Sequence, residues 1–105
     1  MKENVLLDKS KLFALRIIKL YKFLVEQRCE RILSKQILRS GTSVGANVKE
    51  AAFAQSKADF QAKIFIAQKE CAETEYWLKL LYKAEVIDDR SFNSMQKDCC
   101  EIIRL

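Results

Sequence analysis

The stretch that decides the fold runs Gln36-Ile-Leu-Arg-Ser-Gly-Thr-Ser-Val-Gly-Ala-Asn-Val-Lys-Glu50. It holds both glycines of the chain, Gly41 and Gly45, among small polar residues, a composition typical of a loop. Yet its small and apolar residues recur at alternating spacings of four and three, as in a packed helix: Ile37, Gly41, Val44, Val48 and Ala51. We therefore predict a helix whose glycines admit a close neighbour, and the third helix, with Ala67, Cys71 and Thr74, is the expected one.

The composition predicts an all-α fold. The chain has 105 residues, two glycines and no proline, which is too little turn punctuation for an all-β protein of this size. Leu, Ala, Lys, Glu, Gln and Arg are abundant, and all of them favour helix. The length predicts a single domain, residues 1–105. Apolar periodicity places its four helices at about residues 9–26, 35–54, 57–83 and 89–105.

Capping signals mark the starts of three of these helices. Ser34 is the predicted N-cap of the second helix, and Asp88 that of the fourth. Ser56 begins an S-x-x-D capping signature with Asp59, which predicts the start of the third helix. Residues 1–8 are predicted to be a lead-in outside the first helix.

Positive charge is concentrated at the start of the chain. The formal net charge is +5, and residues 1–33 contribute +4 from eight Lys and Arg against four Asp and Glu. This asymmetry is typical of a surface that binds nucleic acid, either structured RNA or DNA, although inert surfaces can be equally basic. The candidate phosphate contacts are Lys9, Lys11, Arg16, Lys19, Lys22, Arg28 and Arg31.

Apolar residues lie among these cations on the outer side of the first helix. Leu12, Leu15 and Phe23 form part of a mixed basic and apolar surface. One interpretation is a solvated face that tolerates some apolar residues, and the other is a contact with another subunit or with nucleic acid. A scaffold that grips a partner protein through the same apolar residues is a further hypothesis. For the oligomer interface we predict Leu12, Leu15, Phe23 and Trp77.

The polar residues of the central stretch also have two interpretations. Arg39, Asn47 and Glu50 are either surface polar residues or partners in hydrogen bonds between helices, or else they belong to a recognition surface. On the third helix, Glu75 points nearer to the predicted core than Glu70 and Glu73, and such a carboxylate requires a partner, for which Arg39 is the natural candidate. We assign to helix packing Arg39, Gly41, Gly45, Asn47 and Glu75.

The usual parts of an enzyme are missing. Histidine is absent, which excludes Ser-His-Asp and Cys-His nucleophiles and histidine-rich metal sites. An acid–base or metal site built on Glu70, Glu73 and Glu75 is the remaining alternative. We predict no catalytic activity, no cofactor and no metal.

The four cysteines and the N-terminus predict a cytoplasmic protein. The cysteines lack C-x-x-C spacing, and the first residues carry acids without the apolar core of a signal peptide. Free thiols, with Cys71 in the core, are therefore expected rather than disulfides. No apolar run is long enough to span a membrane, so no membrane partner is expected.

Three segments resemble one bacterial protein family. They are Leu33 to Ala51, which includes the run Arg-Ser-Gly-Thr-Ser-Val-Gly-Ala-Asn, then Ala54-Gln-Ser-Lys-Ala-Asp-Phe60, and Ala67-Gln-Lys-Glu-Cys-Ala-Glu-Thr-Glu-Tyr-Trp-Leu78. Together with the first helix they resemble the four-helix bundle proteins encoded within intervening sequences of 23S ribosomal RNA genes. The fourth helix is shorter than in typical members of that family.

The resemblance implies a left-handed, antiparallel up-down-up-down four-helix bundle. It also implies a homo-oligomeric ring, a pentamer, as in the related accessory proteins of diversity-generating retroelements. Those relatives have a basic surface and work with a reverse transcriptase and nucleic acid. A non-enzymatic, RNA-associated bundle is the function that the resemblance favours, with an interaction scaffold or accessory subunit for a partner enzyme as the alternative.

Overall fold

Four helices build the chain in a computed structural model that describes the backbone of residues 2–104 and the side chains of residues 5–104. The helices are α1 (Lys2–Arg28), α2 (Leu33–Ala51), α3 (Lys57–Lys83) and α4 (Asp89–Arg104). The described residues include no strand, so the prediction of an all-α four-helix bundle is confirmed. In this described part of the chain, no helix combines the length and the apolar character that crossing a membrane requires.

Consecutive helices run antiparallel. Residue 10 of α1 faces residue 45 of α2, and residue 17 faces residue 41, so the two chains run in opposite directions. On the next pair, Lys63 near the start of α3 bonds Glu50 near the end of α2. Lys9 of α1 pairs with Glu101 of α4, which closes the bundle between its first and last helices. Each helix therefore contacts two neighbours, and α1 and α3 lie diagonally opposite.

Both glycines of α2 face α1. A Cβ atom built on Gly41 would lie 2.6 Å from Cγ1 and 2.8 Å from Cγ2 of Ile17, and one on Gly45 would lie 3.4 Å from the carbonyl oxygen of Ser10. The prediction that the glycines face the third helix was therefore wrong. Helix α3 packs instead on the adjacent side of α2, where the buried hydroxyls of Thr74 and Ser40 share a hydrogen bond of 2.8 Å.

The core lies along the shared centre of the four helices. Its fully buried large side chains come from three of them: Phe13, Ile17, Leu24, Ile37, Val44, Leu78 and Leu81. Helix α4 adds Phe92, Met95, Cys99 and Ile102 at spacings of three and four. Each helix therefore buries a periodic apolar side in the core, as the sequence predicts.

The first helix begins earlier than predicted, because its apolar side extends towards the N-terminus. Leu6 is buried, and it meets Val48 and Ile102 at one end of the core. The chain is already helical from Lys2, so the predicted lead-in lies mostly inside α1. Met1 and Leu105, which the predicted lead-in and fourth helix include, lie outside the described residues.

Glu30, and not Ser34, caps the start of α2. Its carboxylate accepts hydrogen bonds from the backbone N–H of Leu33 at 3.2 Å and of Ser34 at 2.7 Å. Helix α2 thus starts two residues before the predicted position, and Ser34 is buried inside it. A long acidic side chain from the preceding turn supplies the acceptors that the first helical N–H groups need.

The other two predicted caps are confirmed. The hydroxyl of Ser56 accepts a hydrogen bond from the backbone N–H of Asp59 at 3.0 Å, and α3 spans the same residues as its prediction. The carboxylate of Asp88 accepts one from the N–H of Ser91 at 2.8 Å. Helix α2 ends at Ala51, three residues before the predicted end, where the chain tightens into a turn.

The space available for a Cβ atom differs between the two glycines, so replacing them with alanine should have opposite effects on stability. We expect Gly41→Ala to destabilise the fold by about 1–2 kcal/mol, because overpacking against Ile17 outweighs the better helix propensity of alanine. We expect Gly45→Ala to stabilise it by up to about 1 kcal/mol, because its contact with Ser10 is an ordinary one. Urea denaturation of the two variants measures both effects, and equal changes in stability would contradict the packing described.

Because the carboxyl of Asp88 caps α4, the free energy of unfolding should depend on pH. Hydrogen bonds from the backbone N–H and the hydroxyl of Ser91 lower the pKa of the Asp88 carboxyl below its usual range. Its stabilising effect is therefore complete above the unfolded-state pKa and disappears as pH falls through the folded-state pKa. We expect Asp88→Ala to lower the melting temperature at pH 6 and to lose this effect as pH falls below about 4.

Thermal melts of wild type, Asp88→Ala and Asp88→Asn across this range check the expectation. Asparagine keeps a capping oxygen but does not titrate, so it separates the cap from the charge. A difference between wild type and the alanine variant that stays constant from pH 6 to about 3 would count against the assigned role.

Candidate nucleic-acid interface on the first helix

Three lysines form a basic patch on the outer side of α1: Lys11, Lys19 and Lys22. All three are exposed, and none belongs to an ion pair among the described side chains. The patch follows from the helical period, since the buried residues Phe13, Ile17 and Leu24 take the opposite side of the same helix. Free ammonium groups on a rigid helix are available to phosphate oxygens.

Lys9 and Arg16, two further predicted phosphate contacts, pair with acids of α4. Lys9 bonds Glu101 at 3.1 Å, and Arg16 bonds Asp98 as well as the hydroxyl of Ser94. These pairs are partly exposed, and each contributes about 0–1 kcal/mol to stability. Their main effect is to hold α4 against the side of α1, so Lys9 and Arg16 are less available than the basic patch.

Arg28 and Arg31 lie at and beyond the C-terminal end of α1. Both are exposed. The guanidinium of Arg28 lies 5.1 Å from the ring centroid of Phe23, and its Nε donates to the carbonyl oxygen of Val86 at 3.3 Å. The seven predicted cations thus divide into three lysines that form no ion pair with residues 5–104, two residues paired with α4, and two arginines at one end of the bundle.

An apolar strip runs along α1 beside the basic patch and consists of Val5, Leu12, Leu15 and Phe23. Their exposed fractions are 44%, 63%, 49% and 39%. Beside the strip, two grooves of about 440 and 370 Å³ lie between α1 and α4, which approach each other less closely than the other neighbouring helices do. The sequence prediction included all of the strip except Val5, which was missed because it falls in the supposed lead-in.

Trp77, the fourth predicted interface residue, makes most of its contacts within the chain. It is half-buried against the core, and its indole N–H donates to Glu73 at 2.9 Å. Glu73 also accepts from Arg39, as does Glu70 at 3.2 Å. The predicted pairing of Arg39 with an acid of α3 is therefore observed, but with Glu70 and Glu73 and not with Glu75.

Glu75 points to the other neighbour of α3. Its carboxylate accepts a hydrogen bond from the side-chain amide of Gln96 on α4 at 3.4 Å, and the Cys100 thiol lies 3.9 Å away. The three carboxylates considered for an acid–base or metal pair therefore do not converge. Within residues 5–104, no group of three or more cysteine, aspartate or glutamate side chains is placed to hold a metal ion.

The Cys99 thiol is held in its protonated, unreactive form. All four cysteines are free, and Cys71 and Cys99 are both buried between α3 and α4. A hydrogen bond with Cys71 and burial raise the pKa of the Cys99 thiol far above neutrality. Because the thiolate is the reactive form of cysteine, Cys99 behaves as a small apolar core residue.

The remaining polar residues of the central stretch bond mainly to their own helix. The side-chain amide of Asn47 donates to the carbonyl oxygen of Ser43 at 2.9 Å, and the Ser43 hydroxyl donates to that of Arg39 at 2.7 Å. Glu50 reaches α3, where its hydrogen bond with Lys63 raises the pKa of that lysine. Asn47, which was predicted to serve helix packing, therefore bonds within α2 and not to another helix, whereas Glu50 bonds across to α3.

Known proteins resemble this chain along nearly its whole length. The family described as 23S rRNA-intervening sequence protein matches residues 2–105. A crystal structure of a protein of unknown function from the S23 ribosomal protein family, from Bacteroides thetaiotaomicron VPI-5482, has 56% sequence identity and a TM-score of 0.98. That similarity covers 99% of this chain and 93% of the other. No curated protein matches. The chain belongs to the 23S rRNA-intervening sequence protein family.

Proposed function

We propose that this protein is a non-enzymatic, RNA-associated protein of the cytoplasm that binds nucleic acid through α1 as a homo-oligomer. The observation that carries the proposal is the basic patch of Lys11, Lys19 and Lys22, exposed and in no described ion pair. The connection of its family with ribosomal RNA genes favours structured RNA as the nucleic acid. Arg28 and Arg31 extend the same positive surface beyond the end of the helix.

The chemistry of the patch favours recognition of charge and shape rather than of base sequence. Lysine offers phosphate a compact positive charge, whereas base reading relies on bidentate side chains or stacked aromatic rings. A-form RNA suits such a surface, because proteins recognise it mostly through its phosphates and 2′-hydroxyls. Binding should therefore weaken steeply as salt is added.

Oligomerisation would increase the number of basic patches that contact one nucleic acid, which compensates for the weak binding of a single patch. The apolar strip on α1 is the kind of exposed surface that marks a subunit contact, and a ring brings several basic patches to one nucleic acid. We infer a pentamer, the number that the family resemblance implies. Leu12, Leu15 and Phe23 are the proposed contact residues of α1, and the exposed edge of Trp77 is a separate proposed contact on α3.

The same strip supports a second candidate function, a scaffold that holds a partner enzyme. In that case Leu12 and Phe23 would contact a different protein, and the complex would survive nuclease treatment. Complex formation by purified components that Phe23→Asp abolishes, while a Lys11→Glu and Lys22→Glu double variant does not, would favour the scaffold over the nucleic-acid function.

Charge reversal in the basic patch should weaken RNA binding. We expect Lys11→Glu combined with Lys22→Glu to lower affinity for a labelled RNA hairpin by more than about tenfold at low salt, and to reduce the salt slope by about one to two, because two phosphate contacts are lost. Fluorescence anisotropy across a salt series measures both quantities. Neither lysine belongs to a described ion pair, so the fold should be unaffected.

A matched control comes from α2. Lys35→Glu combined with Lys49→Glu makes the same change of charge at two exposed lysines of another helix. This control should lose much less affinity. Equal losses in the two double variants would show that only net charge matters, and unchanged binding by the α1 variant would remove the basis of the proposal.

The proposed pentamer can be tested separately from RNA binding. Light scattering coupled to size exclusion should give a mass of about five times the 12.2 kDa of the chain. Phe23→Asp should lower this mass, because a charge in a buried contact has no partner. A wild-type monomer at micromolar concentration would refute the ring while leaving the RNA expectation to be tested on its own.

A further inference from the structure

The outer face of α3 is a second uncovered surface, on the far side of the bundle from α1. It consists of Ala62, Phe65, Lys69, Ala72, Tyr76, Lys79 and Lys83, all exposed. These residues recur at alternating spacings of three and four, so α3 has a packing pattern on its outer side as well as on its core side. Phe65 and Tyr76 expose 61% and 56% of their surface, with Ile66 at the edge exposing 39%.

This face differs from an ordinary solvated helix surface. Its charges are three lysines, with Glu73 at one edge, and Lys69 lies 5.8 Å from the ring centroid of Phe65. Small alanines between large aromatic rings form the holes and knobs that helices use to pack. The face is therefore better suited to burial against another helix than to exposure to solvent.

We propose that the outer face of α3 in one copy of this protein covers the apolar strip of α1 in the next copy. The inference rests on the proposed oligomer and names the second half of its interface. Because α1 and α3 lie diagonally opposite, one copy can contact two different neighbours with these two surfaces. Such a head-to-tail contact repeats from copy to copy and closes into a ring when the rotation permits.

The areas of the two surfaces suit one another. Their exposed apolar side chains amount to about 400 Å² on each surface, given that a large apolar side chain has a surface of about 150–250 Å². Together they supply the apolar part of an interface of about 1,200–1,400 Å², which is the size of a specific protein contact.

Apolar area and ring symmetry, rather than net charge, favour this pairing. Both surfaces carry exposed lysines: Lys69, Lys79 and Lys83 on the α3 face, and the basic patch beside the α1 strip. A ring of five copies needs two different surfaces on each copy, and the α1 strip and the α3 face are two such surfaces. Asp8 and Glu26, exposed on α1 near the strip, offer the α3 lysines carboxylates at the rim.

A mixing experiment tests this pairing. Leu12→Asp disables the α1 strip, Ala72→Asp disables the α3 face, and Ala46→Asp, at an exposed alanine on the outer side of α2, is the matched control. We expect the first two variants to fall to the mass of a monomer and the control to keep the wild-type mass. Each should keep the helical circular dichroism signal of the wild type, because all three positions are exposed.

Equimolar Leu12→Asp and Ala72→Asp should together form a heterodimer of about twice the monomer mass, since one intact α3 face then meets one intact α1 strip. A mixture that stays monomeric would overturn the head-to-tail pairing, as would an Ala72→Asp protein that keeps the wild-type mass. An Ala46→Asp protein that dissociates as well would also overturn it. A monomeric wild type would instead refute the oligomer itself, and would assign the α3 face to a different protein.

Discussion

The contact between Gly41 and Ile17 is the constraint on which the rest of the bundle depends. The branched, fully buried side chain of Ile17 occupies the space where any residue other than glycine at position 41 would place its Cβ atom. This contact limits how closely the two helices can approach at this level of the bundle. Ile17 shares the buried side of α1 with Phe13 and Leu24, and this buried side leaves Lys11, Lys19 and Lys22 pointing outward.

The use of glycine shows how far packing governs this sequence. Cys29 and Glu85, in the turns after α1 and α3, have φ angles of 55° and 63°, a conformation that glycine adopts most easily. The chain nevertheless places both of its glycines inside α2, where glycine lowers helix propensity. At these two positions, close packing between α1 and α2 therefore outweighs helix propensity. The surfaces left for binding are the basic patch, the apolar strip and the outer face of α3.

The sequence predicts the elements well because the core side of each helix is periodic and apolar, as with Phe13, Ile17 and Leu24. It does not predict which neighbour a given residue faces, because Gly41 and Ser40 are adjacent in sequence yet contact different helices, α1 and α3. The sequence does not predict the pairing of Arg16 with Asp98 either, because it depends on the register between the first and last helices. The basic patch follows from residue type and helical period alone, whereas the subset of cations left free required the positions of the α4 acids.

A double-mutant cycle between Gly41 and Ile17 tests this account most directly. In a wild-type background a methyl group at position 41 meets Ile17, whereas in an Ile17→Ala background the same methyl group occupies vacated space. At a fixed protein concentration, the free energy of unfolding should show Gly41→Ala changing from destabilising to stabilising, with a coupling of about 2–3 kcal/mol. A coupling below about 0.5 kcal/mol would contradict the claim that this contact sets the packing of the bundle.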